Sequence, residues 1–282
     1  MRSRYETVAI VGVGLIGGSI GLALRQRNLA GCVVGIGRRQ SSLRKAKLAG
    51  AIHFATTNLS RGVSEAELTI VCTPVARIAE HVRQVAEHCP DGAVITDAGS
   101  TKQTIVAALE GQLPDGTKFI GSHPLAGGHE SGPEASRPDL FHERTVVVTA
   151  TRRSSPHAVQ AVTEFWQRLG AQVVRMSPSA HDKAVAATSH LPHLIASTLA
   201  AVTPKKSLHL AASGWSDTTR IAAGDSDMWQ QIFLHNREEL LGALDDFSGV
   251  LDAFRRALES KDAKAISRLL KKGKQQRDAM GS

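Results

Sequence analysis

Cysteine is scarce in this chain. Cys32, Cys72 and Cys89 are odd in number and widely spaced, which argues against a disulfide framework or a thiolate metal site. Cys32 and Cys72 stand in apolar, strand-like runs, so buried thiols in a reducing cytoplasm are expected. Aromatic residues make up 4%, and no basic stripe carries interleaved aromatics. The net charge of +8 therefore does not read as a nucleic-acid surface; an anionic cofactor and an anionic small substrate account for its sign. No unbroken apolar run reaches the roughly 18 residues of a membrane span. Met1 to Glu6 is short and charged, unlike a secretory leader. Neither a membrane nor a nucleic acid is expected as a partner, and the expected location is cytoplasmic. Acidic residues are missing between Glu6 and Glu65. Internal repeats and low-complexity tracts are absent too. What remains is ordinary: 282 residues, 42% hydrophobic, enough for one large or two modest domains.

The stretch from Thr7 to Leu24 has the clearest shape. Val8, Ala9, Ile10 and Val11 form an apolar run. Gly12, Gly14 and Gly17 follow in G-x-G-x-x-G order around Leu15 and Ile16, and Ser19 to Leu24 continue as a helix. Gly12 permits the turn, Gly14 lets the backbone approach a pyrophosphate, and Gly17 lets the helix sit close to the strand. The helix N-terminus adds N–H donors and partial positive charge. This predicts a dinucleotide site; a glycine-rich turn without a ligand is the alternative.

A second strand, Cys32 to Ile36, follows. In the NAD version of such a fold a carboxylate near its end holds the ribose 2′-hydroxyl. Here Gly37, Arg38 and Arg39 stand in that place. Arg38 and Arg39, with Ser41 or Ser42, suit a 2′-phosphate, so NADP is expected, with NAD left open and solvated surface arginines as the alternative.

The chain then alternates. A helix is expected over Ser42–Ala49 and a short strand over Ala51–Phe54. A strand over Leu68–Cys72 is closed by Thr73 and Pro74, where the ligand crevice is expected. Further strands are Ala93–Thr96, Phe119–Ser122, Val146–Thr149 and Gln172–Met176, with helices over Val75–His88 and Pro156–Leu169. Ser100, before a helix start at Thr101 and Lys102, reads as an N-cap or a site hydroxyl. The pattern predicts a doubly wound parallel sheet of the Rossmann type, covered on both faces. Near Ser177 it changes to helix alone, with long amphipathic helices over His181–Val202 and Trp229–Leu258. The predicted division is a dinucleotide-binding domain, 1–177, and an all-helical dimerisation and substrate domain, 178–282. The basic segment Lys261–Arg277 reads as a solvated helix face.

Three short motifs carry polar residues that a core does not require. In Gly121-Ser122-His123-Pro124-Leu125-Ala126-Gly127-Gly128, placed just past a strand end, His123 can accept a proton from a hydroxyl. In Ser189-His190-Leu191-Pro192-His193 the two histidines share a helix face; without an accompanying carboxylate or thiol cluster, no metal is expected. In the polar turn Gly214-Trp215-Ser216-Asp217-Thr218-Thr219-Arg220, Arg220 offers a planar fork for a carboxylate, or a salt bridge to Asp217.

Taken in order, these motifs resemble the prephenate/arogenate dehydrogenase family of tyrosine biosynthesis. The carriers are the glycine loop, Val71-Cys72-Thr73-Pro74-Val75, Asp97-Ala98-Gly99-Ser100-Thr101-Lys102, the His123 motif, Ser131-Gly132-Pro133-Glu134, the His190 motif and Asp217-Thr218-Thr219-Arg220-Ile221-Ala222. The resemblance implies a cytoplasmic homodimer joined through the helical domain. It implies oxidation of prephenate at C4 with loss of carbon dioxide, giving 4-hydroxyphenylpyruvate, or tyrosine from arogenate. By motif it makes His123 the acceptor for the C4 hydroxyl, Ser100 its helper and Arg220 the carboxylate anchor. It places His190 and His193 along the cleft, with Trp229 and Asp217 shaping the site and Asp217 supplied by the second subunit. Thr73, Pro74 and Ser100 join the glycine loop and arginines around the cofactor. The chain departs from the family at Gly128, His129 and Glu130, where a hydroxyl residue and then an acid are expected. It departs again at Ala212 and Ser213, where glycines are expected. A β-hydroxyacid dehydrogenase using Lys183, and a non-catalytic dinucleotide sensor, are the competing readings.

Overall fold

The computed structural model describes residues 4–127 and 132–281; Gly128, His129, Glu130 and Ser131 lie outside the described residues. The first part alternates as β1 (Tyr5–Val11), α1 (Leu15–Gln26), β2 (Ala30–Ile36), α2 (Gln40–Leu48), β3 (Phe54–Thr56), α3 (Leu59–Val63), β4 (Leu68–Val71), α4 (Val75–Ala86), β5 (Val94–Asp97), α5 (Gln103–Leu109), β6 (Lys118–Pro124), β7 (Thr145–Thr149), α6 (Pro156–Arg168) and β8 (Gln172–Met176). The strands form one sheet in the order β3-β2-β1-β4-β5-β6-β7-β8. Along β1, Val8 and Ile10 face a core with Ile20 and Leu24 of α1 and Trp166 of α6. Ala9 and Val11 face the other, with Val63, Ile78 and Ile105. Side chains alternate along a strand, so only a continuous apolar run can serve both cores.

The first six strands are parallel, but β7 runs antiparallel to β6, against the all-parallel expectation. Parallel neighbours need a long crossover. Among the described residues between Pro124 and Thr145 there is only a short 3-10 turn, Pro133–Ala135. With α6 as crossover, β8 is parallel to β7. The third strand begins at Phe54 rather than Ala51. Ala51 and Ile52 are buried beneath the sheet's helices, and Ala51 N–H still donates to Ala46 at the end of α2. The cysteines are free and partly buried, less enclosed than expected.

From Pro178 the chain is helical: α7 (Pro178–Val185), a π-turn (Ala186–His190), α8 (Leu191–Val202), α9 (Ser213–Thr219), α10 (Ser226–His235), α11 (Arg237–Glu259) and α12 (Ala263–Asp278). Ser177 caps α7 by accepting from Ala180 N–H at 3.1 Å. The π-turn just precedes Pro192, which has no N–H to donate and crowds the carbonyl four residues earlier. The single helix expected over Trp229–Leu258 is divided at Asn236, whose buried side chain turns inward to hydrogen bonds. By length and composition alone, Pro178–Val202 is long and apolar enough to cross a membrane. It carries His181, Asp182, His190 and His193 as buried residues.

Gly17 sets how closely α1 approaches β1. A Cβ there would lie 2.1 Å from the Gly12 carbonyl oxygen and 2.9 Å from Ile10 Cγ2. Alanine favours a helix by about 1 kcal/mol over glycine, but a backbone oxygen cannot rotate away. Gly17→Ala is expected to destabilise by about 1–3 kcal/mol. Gly273→Ala on α12, with open space around it, is expected to stabilise by about 0.5–1 kcal/mol. Urea unfolding midpoints check both signs.

Candidate active site

Strand order reverses at β1, so a crevice opens at the carboxyl ends of β1 and β4. Gly12 turns there with φ of 97°, and a Cβ on it would lie 2.7 Å from the Cys72 carbonyl oxygen. Gly14, by contrast, would place a Cβ in open space, with nothing within 4 Å. It is the N-cap residue of α1 and supplies no side-chain cap, and the first turn, with Leu15 and Ile16, holds no acid. An anion can therefore approach the N–H groups of the helix start. Arg38 and Arg39 follow β2 and are exposed. Thr73 Oγ1 lies 2.9 Å from His81 Nδ1, and Pro74 is the N-cap residue of α4. Burial, then the Arg77 and Arg38 charges among others, hold His81 below its usual pKa. These residues fit a dinucleotide: the glycines leave room for its phosphates and the arginines offer countercharge.

His123 lies within β6, not past its end, at the carboxyl edge shared with β1, β4 and β5. Its ring is partly buried. Nδ1 is 2.8 Å from His181 Nε2, and His181 Nδ1 is 2.7 Å from Asp182 Oδ1. Its Nε2 has no hydrogen-bond partner among the described residues. Burial, followed by the neighbouring His181, Lys102 and His190, holds His123 well below the ordinary histidine pKa. The ring is thus neutral at pH 7 and able to accept a proton.

Beneath it lies a buried polar layer. Lys102 pairs with Asp97 and donates to the Ser122 carbonyl at 2.9 Å. Burial lowers the Lys102 pKa, opposed by Asp97. Asp97 also accepts from Gly99 N–H at 2.9 Å and Ser122 N–H at 3.0 Å. The Ser122 hydroxyl donates to the Asp97 carbonyl at 2.5 Å and accepts from Trp166 Nε1 at 2.9 Å. Each of these polar groups has partners, as burial requires, whereas the buried Thr101 hydroxyl beside them has none among the described residues. Ser100 is not the helix cap. The N-cap residue is Lys102, and the Lys102 and Gln103 N–H groups donate to the Asp182 carboxylate at 2.7 and 2.9 Å. Ser100 is partly buried and makes no side-chain hydrogen bond among the described residues, including to His123.

The helical side supplies His190 and His193, both buried. Asn236 Nδ2 donates to the Asp182 carbonyl at 2.8 Å and lies 3.0 Å from His190 Nδ1. The carbonyl can only accept, which fixes the amide orientation; His190 Nδ1 then accepts and its proton sits on Nε2. Burial, partly offset by Asp182, lowers His190 to a pKa of about 4. His193 stacks on Trp229 with ring centroids 3.6 Å apart, and its buried Nδ1 has no partner among the described residues. Trp229 and His193 also close on Gly224, where a Cβ would meet Trp229 Nε1 at 2.6 Å. The turn expected to carry Asp217 and Arg220 is itself helical: Asp217 is exposed on α9, and Arg220 opens a 3-10 turn packed on α8. Lys183 is exposed, although its neighbours His181 and Asp182 are buried. His181, Asp182, Asn236 and Lys102 were not singled out from sequence. The Ser177-Pro178 helix start, which places His181 and Asp182 in the first turns of α7, is the signal that could have found two of them.

A histidine kept neutral by the fold, yet free to protonate when unfolded, costs stability as pH falls below about 6.5 and has no effect above it. Each pH unit down to the folded value costs about 1.4 kcal/mol. His190→Gln is therefore expected to lose about 2 kcal/mol less stability than the parent between pH 6.5 and 5, read from urea unfolding at both pH values.

Two family models match the chain: prephenate dehydrogenase, nucleotide-binding domain, over residues 20–175, and prephenate dehydrogenase, dimerization domain, over residues 177–272. Prephenate dehydrogenase of Bacillus subtilis is 33% identical over 290 residues, covering 99% of this chain and 77% of the relative. Cyclohexadienyl dehydrogenase of Zymomonas mobilis is 31% identical over 287 residues, covering 98% and 96%. The crystal structure of Aquifex aeolicus prephenate dehydrogenase with hydroxyphenyl propionate and NAD+ superposes with a TM-score of 0.90 at 30% identity, covering 98% of both chains. On its sheet, its site and these likenesses, the chain belongs to the prephenate dehydrogenase family of NAD(P)-dependent oxidoreductases.

Proposed function

We propose that this protein oxidises prephenate at C4, with loss of carbon dioxide, to 4-hydroxyphenylpyruvate. The observation that carries this reading is His123: a neutral imidazole at the carboxyl edge of the sheet, tied at Nδ1 to His181, with Nε2 unpartnered among the described residues. Bound NAD(P)+ supplies the hydride acceptor. His123 Nε2 accepts a hydrogen bond from the C4 hydroxyl and draws on its proton as the C4–H bond gives up hydride. The electron pair of the breaking C1–carboxylate bond closes the aromatic ring. The hydroxyl keeps its proton in the product, so no net proton is released and His123 need not exchange one with solvent. Ser100 supplies a second hydroxyl contact, and its side chain has no hydrogen-bond partner among the described residues. Arg220, with His190 Nε2–H, seats carboxylates, while His193, Trp229 and Asp217 shape the cavity.

Arogenate is the alternative substrate. It is favoured by one observation: an arogenate dehydrogenase of Synechocystis superposes with a TM-score of 0.82 at 28% identity, covering 97% of this chain. NADP is the proposed cofactor, on the strength of Arg38 and Arg39 where a carboxylate would select NAD. Residues 1–177 act as the dinucleotide-binding domain and 178–282 as the helical one. The matches over 20–175 and 177–272 support that division. The helical part exposes Val202, Leu210, Leu241, Leu251 and Leu258, which supports a homodimer formed there, with Asp217 reaching the partner's site. A cytoplasmic location accords with this chemistry.

Steady-state rates with prephenate and arogenate, each with NAD and NADP, test the reading; it expects the highest kcat/KM for prephenate with NADP, and no turnover of either substrate would end it. His123→Asn is expected to lower kcat by about 100-fold or more while cofactor binding is kept. Arg38→Ala with Arg39→Ala is expected to raise KM for NADP about 10-fold more than KM for NAD. Equal effects would show that the 2′-phosphate is not read there.

A further inference from the structure

Three side chains stand in line: Asp182, His181 and His123. Asp182 and His181 are almost wholly buried, at 1% and 0% exposure. The Asp182 carboxylate accepts the Lys102 and Gln103 N–H groups at 2.7 and 2.9 Å as well as facing His181 Nδ1 at 2.7 Å. An oxygen pair that takes three donors is acting as an ionised acceptor, so His181 carries a proton on Nδ1. With a single proton on the His181 ring, held at Nδ1, its Nε2 is bare. The 2.8 Å contact between that atom and His123 Nδ1 needs one proton, and only His123 can supply it. The proton of His123 is thereby held on Nδ1, and its Nε2 is left as a lone pair.

We propose that His181, oriented by Asp182, is a positioning residue that fixes the tautomer of His123. The inference rests on the reading of His123 as hydroxyl acceptor, and it adds what makes that reading work. With the proton on Nε2, His123 would donate to the substrate oxygen and could not draw its proton away. Two other groups bear on the ring: Lys102, whose charge is paired with Asp97, and His190, held neutral by burial. Neither has a hydrogen bond to His123, so neither selects the tautomer. The same carboxylate also sits at the start of α5, where a negative charge is favoured by the helix dipole. Its oxygens are therefore held by groups other than His181 as well.

The test is the protonation pattern of the His123 ring, read by long-range proton–nitrogen correlation spectra of the full chain with 15N-labelled histidine. His123→Asn identifies the signals. The expected parent pattern is a protonated Nδ1 and a bare Nε2. His181→Gln, whose amide oxygen can still accept from His123 Nδ1, should keep that pattern and most of the turnover. His181→Phe should shift His123 to the Nε2–H form and lower kcat about 100-fold, with KM for the cofactor unchanged. A parent His123 protonated on Nε2, or a His181→Phe protein that turns over at the parent rate, would overturn the inference. Should His181→Phe fail to fold, the parent spectrum decides alone. Because the spectrum needs no substrate, absence of prephenate turnover would count against the functional reading and leave the tautomer result standing.

Discussion

The site hangs on one buried carboxylate. Asp182 belongs to the helical part of the chain, yet its oxygens take the N–H groups of Lys102 and Gln103, which open a helix of the sheet part. A buried carboxylate is costly unless its acceptors are filled, so the position of the first helical turns against the sheet is closely specified. Through His181 the same group reaches His123; through its backbone carbonyl it receives Asn236, which in turn bonds His190. The imidazole on the strand and the imidazole on the helix are therefore positioned by a single residue.

Burial gives these histidines their chemical character. His123, His190 and His193 are all held below the usual imidazole pKa, with burial the leading cause in each. Neutral rings suit a site for anionic substrates in which one ring accepts a hydrogen bond and another donates. Of the positive groups, Lys102 is neutralised by Asp97, while Arg38, Arg39 and Arg220 are exposed.

Much of the fold was legible because its signals are local. The Val8–Val11 run with its spaced glycines, the strand at Leu68 and the alternation through Met176 each depend on neighbours in sequence. The reversal of β7 was not legible within the strand, because it follows from the connection before it, where the described residues hold only a short 3-10 turn. Nor was the break at Asn236, a residue that leaves helical geometry for partners 46 and 54 positions away. The candidate site divides in the same way. His123 and His190 stood out because polar residues in apolar surroundings invite a question, and Arg220 because it ends a polar turn. His181 and Asp182 did not, since an adjacent His-Asp pair near a helix start looks like solvated surface until the fold brings it against Lys102. The Ser100 cap failed for a related reason: the helix start was already served by a carboxylate 80 residues away.

The central claim is that a neutral His123 accepts a hydrogen bond from the substrate's hydroxyl and draws on its proton in the course of hydride transfer. The dependence of kcat/KM on pH tests it most directly, because that ratio reports the ionisation of the free enzyme. The account predicts a rate that falls only on the acid side, with its midpoint below the ordinary histidine value of about 6.5, and stays level from there to about pH 8. A midpoint at or above 6.5, or a rate that is greatest when the imidazole is protonated, would contradict it.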